Sequence, residues 1–150
     1  MRLLPLPASG RRRFASLSAE EILALAIASE EEDARIYRLY ARRLREAYPA
    51  TARLFEAMAE EEDEHRRRLI ELYRSRYGEL ILPIRREHVA DFYARRPVWL
   101  VENLGLDRIR AEALAMEREA EAFYRAAAAR TTDAEARTLL GDLAAEEAPQ

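Results

Sequence analysis

The sequence predicts an all-α protein: four helices in two pairs, linked by a long crossover that carries a short extra helix. Three observations predict it. The 150 residues are 49% apolar and 35% charged, with only four Gly and six Pro, a composition dominated by helix formers. Four segments repeat their apolar residues at helical spacing. Start or stop signals mark each of those segments. The length suits one compact domain. The net charge of -3 gives no general attraction to nucleic acid or to an anionic membrane. The absence of cysteine removes disulfides, thiolate metal sites and cysteine nucleophiles. No apolar run approaches the ~18 residues of a membrane span.

Residues 1–16, which begin "MRLLPLPASGRRRF", hold two prolines and no continuous apolar core; they read as a flexible basic arm. In "SLSAEEILALA", Ser18 can cap a first helix, with Glu21 reaching back to it. That helix is expected over 19–48, where Pro49 stops it. A second is expected over 50–77, closed by Gly78. Residues 79–105 form the crossover, with a short helix in "RREHVADFYARR" and an apolar anchor around Trp99. Asp107 can cap a third helix over 107–130. Thr132, with Glu135 as its partner, can cap a fourth over 133–147. Tight turns within each pair and one long link between pairs is the connectivity of a ferritin-like bundle.

Placed on helical spacing, each apolar stripe is interrupted by acid. The first helix reads Leu23, Ile27, Glu30, Ala34, Tyr37, Ala41, while Glu31 falls with Arg35, Arg38 and Arg42 on an outer face. The second reads Phe55, Met58, Glu62, His65, Leu69, Leu72; Glu62 and His65 are three apart and share a face. Glu60, Glu61, Asp63 and Glu64 point to the sides or to solvent. Glu117 interrupts the third stripe and Glu147 the fourth.

The pattern is internally repeated. "AIASEEEDARIYR" resembles "ALAMEREAEAFYR", and Tyr37 and Tyr124 each follow an inward Glu by seven positions. Four inward carboxylates in one small core cannot all remain ionised unaided. Either their pKa values rise or cations neutralise them. Two divalent metals match four carboxylates in charge, and a Glu-x-x-His pair adds an imidazole nitrogen. The candidate ligands are therefore Glu30, Glu62, His65, Glu117 and Glu147. Tyr37 and Tyr124 can hydrogen-bond ligand carboxylates or simply pack. Glu121 shares a face with Glu117 and is either an extra ligand or part of an edge salt bridge. His88, in the crossover, is expected at a surface or interface.

These residues resemble the rubrerythrin branch of the ferritin-like superfamily over about residues 17–147. Glu30/Tyr37 and Glu117/Tyr124 resemble its helix-one and helix-three motifs, and Glu62-x-x-His65 its helix-two motif. "EILALAIASEEEDARIY", "EEDEHRRRLIELY", "PVWLVENLGLD" and "RTTDAEARTLLGDLA" are similar to the cytosolic erythrin domains of bacterial membrane-bound ferritin A, the erythrin–vacuolar iron transporter group. The resemblance implies two iron ions (Fe2+/Fe3+, with Zn or Mn able to substitute), ferrous iron or peroxide chemistry, a homodimer, a cytoplasmic location and a fused or associated membrane iron transporter. The chain departs from the family pattern in three ways. Gln150 stands where a second Glu-x-x-His motif would end, no four-cysteine rubredoxin-type site occurs, and Ala120 stands where many rubrerythrins carry a further Glu.

The expected function is ferroxidase-type handling of Fe(II) at a dinuclear centre in iron homeostasis. The alternatives are a peroxide reductase with an external electron donor and a non-catalytic helical dimerisation module.

Overall fold

The computed structural model describes residues 12–90 and 104–149. It is an all-α, ferritin-like bundle of α1 (Ala19–Leu44), α2 (Pro49–Tyr77), α3 (Leu106–Arg130) and α4 (Ala134–Glu147). α1 packs on α2 and α3 on α4, and the two hairpins meet through α1–α3 and α2–α4. No helix is long and apolar enough to cross a membrane among the described residues.

Local chemistry sets the helix ends. The Ser18 hydroxyl accepts from the Glu21 N–H at 3.1 Å, and the Ser18 N–H donates to the Glu21 carboxylate at 2.9 Å, closing the expected capping box. α1 stops at Leu44 rather than near Tyr48. Tyr48 precedes a proline, which disfavours helical backbone at that residue, and it adopts φ -138°, ψ 65°. Pro49 itself starts α2, where its missing N–H costs nothing. Gly78 ends α2 with φ +94°, its N–H donating to Arg74 O at 3.1 Å.

Two caps differ from expectation. Gly105, not Asp107, precedes α3, and Asp107 lies in the first turn, where its charge still suits the helix dipole. Asp133, not Thr132, caps α4 by accepting from Ala136 N–H at 3.1 Å. Arg76 of α2 explains the choice: it grips Asp133 at 2.6 Å and also binds Glu135, withdrawing Glu135 from any capping box.

Residues 12–16, the described part of the segment expected as a flexible arm, pack against the bundle. Phe14 packs edge-on against Phe123 with centroids 5.9 Å apart, and Arg130 lies over its ring while donating to the carbonyls of Phe14 and Ala15. A parallel backbone bridge joins Arg12 to Val89 of the crossover. Residues 1–11, the Trp99 anchor and the second half of the expected crossover helix lie outside the described residues. A 3-10 turn, Arg86–His88, falls within them. There the buried Arg86 donates to both oxygens of the buried Asp33, at 2.9 and 3.0 Å, and fastens the crossover to α1. His88 is exposed, and its Nδ1 accepts from Arg85 N–H at 2.9 Å.

Two apolar clusters form the core. One gathers Leu17–Ile27, Leu69–Tyr73, Phe123–Ala127 and Ala136–Ala144 from all four helices. The other gathers Ala34–Leu44, Ala52–Ala59 and Ile109–Met116 from three. α4 has 14 residues, against 25 to 29 in the other helices, so it spans the first cluster only. Its last residue, Glu147, therefore arrives at the seam between the clusters, which is where Glu30, Glu62 and Glu117 also lie along their helices.

Candidate metal centre

At that seam Glu30, Glu62, His65 and Glu147 bring ligand atoms within 4.8 Å of one another, and all four residues are buried. His65 Nδ1 lies 3.1 Å from Glu147 Oε1, 3.5 Å from Glu30 Oε2 and 3.8 Å from Glu62 Oε1. Each helix delivers its side chain for a simple reason. A carboxylate on the apolar stripe of α1, α2 or α4 must point where the stripe points, and here the stripes converge. Glu147 ends α4, where the helix dipole is negative and repels a carboxylate further.

The electrostatics are those of a cation site without enough protein cation. Burial, then Glu30 and Glu147, push the Glu62 carboxyl well above its usual range. Burial also raises Glu147, against the pull of the His65 imidazole. Burial pulls His65 down, but hydrogen bonding and charge from Glu147 and Glu30 override it and hold His65 up at about 10. Two polar atoms, Glu30 Oε2 and His65 Nε2, are buried without a hydrogen-bond partner. Of these, Glu30 Oε2 is an orphaned acceptor inside the nest, and converging carboxylates beside an imidazole fit a divalent metal, whose preferred donors are these oxygens and nitrogens.

The other expected site residues divide. Tyr124 of α3 donates its hydroxyl to Glu30 Oε1 across the bundle, fixing that carboxylate. Burial, followed by Glu30, raises the Tyr124 phenol well above its ordinary value. Tyr37 is buried beside Glu62, Asp33, Glu147 and Glu117, and stacks on Phe55 with centroids 6.1 Å apart. The repeat would pair Tyr37 with Glu117 as Tyr124 pairs with Glu30, but no such bond forms among the described residues. Glu117 stands apart from the four-residue nest. It is half-buried and lines a cavity of about 430 Å3 together with Tyr37, Glu61, Glu62, Glu146 and Glu147. Burial, then Glu61, raises its carboxyl. Glu121 pairs instead with Arg125 on its own helix, at 2.5 Å. Gln150 lies outside the described residues.

Helical spacing places Glu61 on a flank of α2 and sets Glu146 off the apolar stripe of α4. Both face His65 Nε2, at 3.8 and 3.4 Å. The signal was available: Glu61 and Glu146 immediately precede the inward Glu62 and Glu147, so an acidic pair recurs on α2 and α4.

The rubrerythrin family model matches residues 21–149, nearly the whole described bundle. The chain belongs to the rubrerythrin family. No curated protein and no solved structure matches it. As a rubrerythrin-family domain with a di-iron-type fold, it carries its buried acid–histidine cluster at the centre of its four helices.

Proposed function

We propose that this chain binds a dinuclear iron centre and oxidises or otherwise handles Fe(II) in iron homeostasis. The observation that carries the reading is the buried nest of Glu30, Glu62, His65 and Glu147. These four side chains would hold one ion. Glu62 and Glu147, shared with the half-buried Glu117 across the same cavity, would hold the second. Bound iron would supply electrons to oxygen or peroxide. The chain's own part is to arrange donors, to anchor Glu30 through Tyr124, and to bury the four-residue nest between two apolar clusters. With His65 on one side and Gln150 in place of a second histidine, the two positions should differ in affinity.

The similarity of four segments to erythrin domains supports a role as the cytosolic, dimeric part of, or partner to, a membrane iron transporter. Ala120 is buried and offers no ligand atom where many rubrerythrins have a further glutamate, which favours Fe(II) handling over peroxide reduction. Buried carboxylates that converge from α1, α2 and α4 have no purpose in a purely structural dimerisation module. Anaerobic Fe(II) titration followed by oxygen should give a ferric absorbance with stepwise filling. Lack of iron uptake, or uptake unchanged in Glu62→Ala, would sink the proposal.

A further inference from the structure

Just outside the nest, Glu61, Glu146 and the second nitrogen of His65 form a separate group whose ligand atoms lie within 4.8 Å of one another. His65 is the wall between the two. Its Nδ1 faces the inner carboxylates, while its Nε2 faces Glu146 Oε1 at 3.4 Å and Glu61 Oε1 at 3.8 Å. The His65 side chain is 1% exposed, yet Nε2 has no hydrogen-bond partner. The outer carboxylates are open to solvent, Glu61 at 51% and Glu146 at 39%. A buried, unpartnered nitrogen aimed at two exposed carboxylates is an incomplete coordination shell with its open side toward water. The 430 Å3 cavity is lined by the outer pair and by Glu62 and Glu147 of the inner nest, so one space serves both.

We propose that Glu61, Glu146 and His65 Nε2 form a staging site that captures a divalent cation at the mouth and passes it to the inner nest. This rests on reading the inner nest as a metal site. The arriving cation displaces one proton from His65 to solvent, and the neutral imidazole that remains has one lone pair, so His65 can ligate on one side at a time. With the cation outside, Nε2 ligates and the Nδ1 proton is donated to Glu147, 3.1 Å away. With the cation inside, Nδ1 has lost its proton to solvent by way of Glu147 and ligates, while Nε2 has taken a proton from solvent on its open side and faces Glu146, so no net proton is gained or lost in the transfer. The outer site therefore fills while the inner histidine position is empty. Adjacent carboxylates on each helix, Glu61 with Glu62 and Glu146 with Glu147, let the cation exchange one ligand for its neighbour. Arg68 holds Glu146 Oε1 at 2.8 Å and must yield that oxygen in part, which keeps the outer site weak enough to release its cation.

Crystals of the inner-blocked variant Glu30→Gln/Glu147→Gln, soaked in Mn2+, should show an anomalous peak between Glu61, Glu146 and His65 Nε2. The peak should vanish when Glu61→Gln and Glu146→Gln are added. In the otherwise unaltered chain, Glu61→Gln/Glu146→Gln should slow Co2+ loading about tenfold by stopped-flow absorption, with the final stoichiometry unchanged. These are exposed positions, so that variant tests the idea even if the inner-blocked one does not fold. An inner nest that fills in the unaltered chain, with no outer peak in the blocked variant or with an unchanged loading rate, overturns the staging site and leaves the inner reading intact. An inner nest that takes no metal in the unaltered chain overturns the inner reading, and the staging proposal with it.

Discussion

Replacing Glu62 by Gln should make the metal-free protein more stable and remove its stabilisation by metal. Ligand atoms of Glu30, Glu62 and Glu147 lie within 4.8 Å of one another. Two like charges at that separation cost roughly 3.5 kcal/mol at an effective dielectric constant of about 20, and Glu62 faces two of them. His65 offsets part of this, and the raised carboxyl pKa values relieve more by protonation. A net gain of about 1–3 kcal/mol for the neutral isostere remains, in line with replacing other buried charges. For a chain of this size that is a rise in melting temperature of roughly 3–10 °C. In the unaltered chain, metal at one hundred times its dissociation constant should stabilise by about 2.7 kcal/mol, or roughly 5–11 °C. Glu62→Gln should lose nearly all of that response. Calorimetric melts with and without Mn2+ at pH 7 measure both. A lower metal-free melting temperature, as for an ordinary core substitution, or a retained metal response, would refute the reasoning.

Further outcomes rest on the same geometry. Because His65 titrates near 10 in the folded chain and near 6.5 when unfolded, its stabilising contribution is complete below about 6.5 and is lost as pH rises through 10. The raised Glu62 and Glu147 act in the same sense, so metal-free stability should fall with rising pH above the ordinary carboxylate range, as melts across pH would show. Metal must displace these protons, so calorimetry at pH 7 in buffers of different ionisation enthalpy should register release of about one proton or more per ion. Tyr124→Phe should weaken metal binding about tenfold by freeing Glu30; unchanged affinity in a titration would leave Tyr124 a packing residue. Arg86→Met should strand the buried Asp33 and cost about 3–5 kcal/mol in thermal unfolding, with Asp33→Asn recovering much of it.

The nest was legible where local rules suffice. Glu30, Glu62 and Glu147 each interrupt an apolar stripe, and period 3.6 gives the direction of a side chain about its own helix axis. His65 follows from Glu62 because the two share a turn. The capping box at Ser18 and the Gly78 stop are equally local. Asp33 shows the limit. It ends the acidic run Glu30–Asp33, where no local signal sets it apart, yet it is buried because Arg86, 53 positions away, comes to meet it.

The sequence by itself determined four amphipathic helices, their order, and which face of each carries acid, because those depend on residues within a few turns of one another. The tertiary structure decided which of those acids meet. The short α4 ends at the seam and puts Glu147 in the nest, and the packing of α3 on α1 lets Tyr124 reach Glu30 while Glu117 stays at the cavity wall. It also decided that His65 turns its two nitrogens to two different acidic groups. Periodicity fixes rotation about one axis. The sliding of one helix along another, which selects partners at this range, is set by how whole apolar clusters pack.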